Sequence, residues 1–221
     1  AATLRSAAAA LQNYTPELAQ AVREGESKTD HYEDILGTYL VKLSALKISE
    51  SDSSEAAMLL KALSDFERIG DHALNILESA EELKGKNLSL SDAARHELNV
   101  LLRAVEEIVD MTFRAFRDDD LEKACRVEPL EQVIDALKEK MRIHHILRMQ
   151  QGSCSIESGF VWSDLLTALE RVGDHCSNIA GCIIDLHHHN MNTHEAIRSA
   201  RMENENFDDE YKAYAVKYSL K

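Results

Sequence analysis

Leu63-Ser-Asp-Phe-Glu-Arg-Ile-Gly-Asp-His-Ala-Leu-Asn-Ile76 returns later in the chain as Leu166-Thr-Ala-Leu-Glu-Arg-Val-Gly-Asp-His-Cys-Ser-Asn-Ile179, displaced by 103 positions (170 − 67). Drift can preserve a hydrophobic pattern. It does not readily keep Glu, Arg, Gly, Asp, His and Asn in fixed register, so the match marks an internal duplication whose unit carries polar chemistry as well as packing.

Outward from these segments the apolar residues keep a helical period. Leu59, Ala62, Phe66, Ile69, Ala73, Ile76 and Ala80 form one seam, and Leu165, Leu169, Val172, Cys176, Ile179 and Ile183 form its equivalent. Gly25 is read as the break between a first helix, kinked at Thr15-Pro16, and a second over 27–46. Ser49-x-x-Asp52 opens a third helix that runs to Gly85, and Ser89-x-x-Asp92 opens a fourth. Asp118-Asp119-Asp120 ends or kinks that helix, Gly152-Ser153 closes a fifth, and a sixth carries the second motif to His187. The expected fold is all-α: a tandem duplication of a three-helix unit, as two antiparallel three-helix bundles over residues 1–86 and 87–188. A polar C-terminal tail, 189–221, is expected to be helical, with Tyr211, Tyr214 and Tyr218 docking one face.

Composition narrows the function. Two prolines, few aromatics and abundant Ala, Leu and Glu fit a helical protein. A formal charge of −14 argues against nucleic acid as partner, because phosphate-backbone binding needs a basic face. Cys125, Cys154, Cys176 and Cys182 have no Cys-x-x-Cys spacing and read as reduced, packed thiols. No apolar run reaches the roughly 20 residues of a membrane span. Phosphate-cradling Gly-rich loops and recognisable nucleophile–base orders are absent, so no catalytic residues are expected.

The polar chemistry lies in carboxylate pairs. Glu67 and Asp71 are four apart and share one helix face, as do Glu170 and Asp174. Like charges at this spacing destabilise a helix by about 0.2–0.5 kcal/mol. Beside an apolar seam they require a shared proton, a basic neighbour or a metal ion. Asp30 with Asp34, and Glu131 with Asp135, provide a second pair per repeat at a shift of 101 (135 − 34). If the helices face each other, four carboxylates converge in each groove, a donor set suited to Fe, Mn, Mg or Ca, with Zn also possible. The alternative is that Arg68 and Arg171 neutralise the pairs as ion pairs. His72 and His175 fit packing or ligand orientation, and Asn75 and Asn178 continue the carboxylate row. Arg142, His144, His145 and Arg148 read as a solvated basic face, and His187-His188-His189 as a solvated tract. Neither motif has the Glu-x-x-His spacing of a di-iron oxidase.

The paired Glu-Arg-(Ile/Val)-Gly-Asp-His-x-x-Asn-Ile segments resemble the signature of the PhoU family, helical regulators of phosphate uptake built from a duplicated three-helix unit. The resemblance covers about residues 3–187. It implies multinuclear metal sites at Asp30, Asp34, Glu67, Asp71, Glu131, Asp135, Glu170 and Asp174, with Arg68, His72, Asn75, Arg171, His175 and Asn178 around them. The stretches 29–44, 127–137 and 174–180 are similar to the cytoplasmic C-terminal PhoU domain of bacterial sodium/phosphate cotransporter-like proteins. That likeness, together with a start at Ala1 rather than Met, implies a regulatory, non-enzymatic domain. It would act on a membrane transporter domain of the same polypeptide, at the cytoplasmic side of the plasma membrane, and could self-associate. A free-standing PhoU-type regulator, acting on a phosphate transporter and its signalling kinase, is the alternative.

Overall fold

The structure, a computed structural model, describes residues 1–188 and 206–220; 87% of them are helical and none forms a strand. The helices are α1 (Ala2–Gln12), α2 (Pro16–Ser44), α3 (Glu50–Gly85), α4 (Asp92–Asp118), α5 (Leu121–Cys125), α6 (Val127–Gln150), α7 (Ile156–His188) and α8 (Phe207–Lys217).

The first break falls at Thr15-Pro16 and not at Gly25. Thr15 is extended and its hydroxyl accepts from the Leu18 amide, while Pro16 supplies a preset φ at the first helical turn. Gly25 lies inside α2 at a close crossing with α1: a Cβ there would sit 2.3 Å from Thr3 Oγ1. The glycine thus permits packing where its propensity pointed to a break. Ser49 caps α3 as expected. For α4 the cap is Ser91, whose hydroxyl accepts from the Ala94 amide, and not Ser89. Asp119 is left-handed and closes α4; Asp120 then caps the short α5.

Helices α1–α3 form one unit and α4–α7 the other, and α3 and α7 share the most extensive interface. These two helices run antiparallel. Met58 and Ala62 cluster with Cys182 at one end, while Ser79 shares a pocket with Asp164 at the other. The midpoint of the pair falls at the level of Gly70–Asp71 and Gly173–Asp174, so a pseudo-two-fold axis passes through the duplicated motif. Both seams supply the core: Ile76, Leu77, Leu165, Leu169 and Ile179 are fully buried. Burial pushes the Cys176 and Cys182 thiols up to about 12 and about 11, which keeps them protonated. All four cysteines are free, and Cys125 and Cys154 are half-buried.

The basic stretch of α6 is not a solvated face. Arg148 and His145 are buried, and Arg148 Nη1 donates to Glu97 Oε2 at 2.8 Å with its guanidinium over the Trp162 ring. His144 Nδ1 lies 2.6 Å from Glu97 Oε1. Glu97 projects from α4 and offsets the desolvation of the Arg148 guanidinium, an arrangement that periodicity within α6 could not disclose. Arg142 alone of the four stays exposed.

In the tail, α8 docks as the tyrosine spacing requires: Phe207, Tyr214 and Tyr218 are buried against the second unit. The remainder of the expected tail helix, 189–205, and His189 of the histidine tract lie outside the described residues. His187 is not simply solvated, since its Nε2 lies 3.1 Å from Asp119 Oδ1.

Candidate metal grooves and the motif helix pair

Two features of each motif helix point in different directions. Glu67, Gly70 and Asp71 face α2; Glu170, Gly173 and Asp174 face α6. The glycines seat this contact: a Cβ on Gly70 would meet Thr29, and one on Gly173 would meet Ile134 and Glu131. The helix pairing therefore matches Thr29 with Ile134, a shift of 105 (134 − 29), and not the 101 read from the sequence.

That register changes the acidic partners of the first groove. Glu26 and Asp30 stand where Glu131 and Asp135 stand in the second copy. Glu26 is half-buried and its carboxyl is held above the usual range by burial, then by the charges of Asp71 and Asp30. Glu67 is raised by burial, by the charge of Asp71 and by a side-chain hydrogen bond with Asp71, and it also feels Glu33. Bringing the two carboxyls onto one half-buried helix face is what holds Glu67 above its ordinary value. Asp30 and Asp34 are both exposed, and Asp34 lies one turn further from Glu26. Glu26 escaped the sequence reading, although its spacing to Asp30 was a visible signal; two overlapping i, i+4 pairs were available and only the helix contact chooses between them.

In the second groove Glu131 is pushed up to about 8, first by burial and then by Glu128, Asp174, Asp135 and Glu170. Asp174 is raised for the same reasons, burial and then Glu170. Glu131 feels the charges of Asp135, Glu170 and Asp174, while Asp135 itself is exposed and cations already accompany the motif carboxylates. Lys138 Nζ lies 2.8 Å from Glu170 Oε1, and Arg171 Nη1 donates to Asp174 Oδ2 at 3.0 Å. At the shift of 105, Lys138 corresponds to Glu33. One groove is lined by Glu26, Asp30, Glu33, Glu67 and Asp71; the other gathers Glu128, Glu131, Asp135, Glu170 and Asp174 around Glu131 but carries the Lys138 ammonium where the first has Glu33. Among the described residues no three His, Cys, Asp or Glu side chains are already drawn together at ligating distance. The donor chemistry suits a hard cation in the first groove, where carboxyl oxygens are the groups that line it.

The histidines and asparagines turn away from the grooves, toward the α3–α7 interface. His72 and His175 stack with ring centroids 5.4 Å apart. His175 Nδ1 lies 2.8 Å from the buried Asp65, and Asn178 Nδ2 donates to the same Oδ1 at 3.1 Å. Asn178 therefore does not extend the carboxylate row. Across the pseudo-axis the counterpart of Asp65 is Ala168, and His72 is left with Asn75 at 3.4 Å beside a pocket of about 330 Å³. Burial, and then His175, lower the His72 pKa. Asp65 was missed because it is one of the positions where the two motif copies differ. Arg68 is exposed.

With this geometry in place, comparison with known proteins decides the family. The PhoU domain family matches residues 1–80 and 98–183, one match for each helical unit. The chain belongs to the PhoU family. It is 33% identical over 131 residues to the phosphate-specific transport system accessory protein PhoU homolog 1 of Thermotoga maritima, covering 57% of this chain and 53% of that protein. It is 29% identical over 182 residues to the accessory protein PhoU of Serratia marcescens, covering 80% of this chain and 72% of that protein. The chain thus spans about half the length of the first of these relatives and nearly three quarters of the second. The crystal structure of PhoU from Pseudomonas aeruginosa superposes with a TM-score of 0.79 at 26% identity, over 85% of this chain and 89% of that one. A further PhoU structure, from Streptococcus pneumoniae, shares the fold at a TM-score of 0.73 and 22% identity, over 86% and 88%. No helix among the described residues is long and apolar enough to cross a membrane.

Proposed function

We propose that this PhoU-family chain is a non-enzymatic regulator of phosphate uptake that acts on a phosphate transporter at the cytoplasmic face of the membrane, and that it holds a divalent or trivalent metal ion in the α2–α3 groove. Five carboxylates along that groove, without a lysine among them, carry the metal assignment. Fe, Mn or Zn, and the harder Mg or Ca, all accept such oxygen donors. An ion there would be held by carboxylates of α2 and α3, Glu26 and Asp30 on one side and Glu67 and Asp71 on the other, and its charge would favour their ionised forms. In the α6–α7 groove Lys138 and Arg171 supply part of the positive charge that a metal would bring.

The relatives are accessory proteins in their own right, which favours a free-standing regulator over a domain joined to a sodium-dependent phosphate transporter. The likeness of residues 29–44 to cotransporter-linked PhoU domains supports the joined form as a second reading. The two readings differ in covalent linkage to the transporter.

The test is phosphate uptake in a bacterial host lacking its own PhoU, complemented with this chain or with Asp71→Asn. Restored control by the wild type and its loss in the variant are expected. Uptake left unregulated by a well-expressed wild-type chain would overturn the regulatory reading for the free-standing form. The joined form is tested by the same measurement on the chain fused behind its transporter.

A further inference from the structure

We infer that the cleft walled by α1, α4 and α8 binds an extended oligophosphate anion, on the opposite charge logic to the grooves. The cleft encloses about 570 Å³. Arg5, Arg103, Arg114, Lys123 and Arg126 account for five of its eleven lining residues, in a chain of net charge −14 with 25 Lys and Arg among 221. Three carboxylates share the lining, and each has a cationic partner, with one arginine serving two of them. Arg5 pairs with Glu106 at 3.5 Å and with Asp110 at 2.5 Å. Glu107 accepts from Lys217 at 2.6 Å and from the Tyr218 hydroxyl, both brought by the end of α8.

The remaining cations divide into two groups. Lys123 pairs with Asp120, and Arg126 with Glu210 at 3.2 Å. Arg103 and Arg114 form no ion pair among the described residues; the Arg103 Nε donates only to the Asn99 carbonyl. These two lie eleven positions apart on one face of α4, about 16 Å along its axis. A single phosphate meets both guanidiniums only if the two side chains fold toward each other along the helix. A chain of three or more phosphates can lie between them, presenting oxygens to each planar fork. Tyr214, whose hydroxyl side of the cleft also faces Arg126, closes the third wall. A long polyanion such as a nucleic acid is opposed by the acidity of the rest of the surface, whereas a short chain is enclosed by the cleft.

Calorimetric titration of metal-free protein, in a buffer without divalent cations, tests the site with tripolyphosphate, orthophosphate and citrate. Tripolyphosphate should bind at least about tenfold more tightly than orthophosphate or citrate, and its affinity should fall by at least about tenfold in Arg103→Ala/Arg114→Ala. Arg114→Glu alone should also lose binding, so the outcome does not hang on one variant. Absence of binding, equal affinity for the three anions, or undiminished affinity in both folded variants would overturn the inference. It does not depend on the acidic grooves: an empty α2–α3 groove would leave this result unchanged, and binding retained in the arginine variants would place the anion elsewhere.

Discussion

His175 Nδ1 lies 2.8 Å from Asp65 Oδ1, and this contact ties the second motif helix to the first at a point where the internal symmetry fails. Asp65 also accepts from Asn178, so one buried carboxylate serves two donors from the other repeat. Its counterpart, Ala168, gives His72 and Asn75 nothing equivalent. The duplicated His and Asn have therefore diverged in role without diverging in identity.

Replacing Asp65 with Ala should destabilise the protein by about 1–3 kcal/mol, because two buried donors lose their acceptor. His72→Ala should cost less than His175→Ala, since His72 has no carboxylate partner across the axis. Denaturant unfolding of the three variants measures the order; equal losses at the two histidines would show that stacking, and not the Asp65 contact, holds the interface.

The pH dependence follows from Glu131. Its carboxyl is raised from 4.5 to about 8 in the fold. Between those values the folded state keeps a proton that the unfolded chain releases, so metal-free stability falls as pH rises from about 4.5 to 8 and this contribution is flat above. Raised carboxyls at Glu67 and Asp174 add slopes of the same sign. Glu131→Gln should lessen the fall, as read from urea midpoints across that range. A wild-type slope unaltered by the substitution would mean that Glu131 titrates as an exposed acid.

Lys138 sets the difference between the two grooves. Wild-type protein should take up metal first in the α2–α3 groove, and Asp71→Asn should abolish most of that uptake. Lys138→Glu should strengthen the second site and raise the metal content per chain, measured by elemental analysis after dialysis beside a chelated control. The added metal should raise the melting temperature by mass action. Unchanged stoichiometry in Lys138→Glu would show that the ammonium is not what limits the second groove.

Two glycines in helices should respond oppositely to alanine. At Gly25 the new Cβ would fall 2.3 Å from Thr3 Oγ1, forcing α1 away and costing about 1–3 kcal/mol. At Gly85 nothing lies within 4 Å, and alanine should stabilise by about 0.4–1 kcal/mol through the unfolded state. Thermal unfolding of the pair compares them directly.

Much of this protein is legible in its sequence because local rules govern it. The 3.6-residue seams, the Ser49 cap, the near absence of proline and the repeated motif determine a duplicated, all-helical chain. The i, i+4 spacing determines that Glu67 with Asp71, and Glu170 with Asp174, share a helix face. Tyr214 and Tyr218 declare the docking side of α8 for the same reason. Partnership between helices is not a local property. The contact of Gly70 with Thr29 selects Glu26 and Asp30 over Asp30 and Asp34, since two registers one turn apart bury the same apolar stripe and only close packing tells them apart. Burial of Arg148 depends on Glu97, fifty-one positions away, and the role of His175 depends on an aspartate that its twin lacks. The sequence by itself determined which groups the protein carries and on which helix faces. The tertiary structure alone decided which of those groups compensate one another, because charge compensation acts through distance in space and the chain encodes distance only along its length.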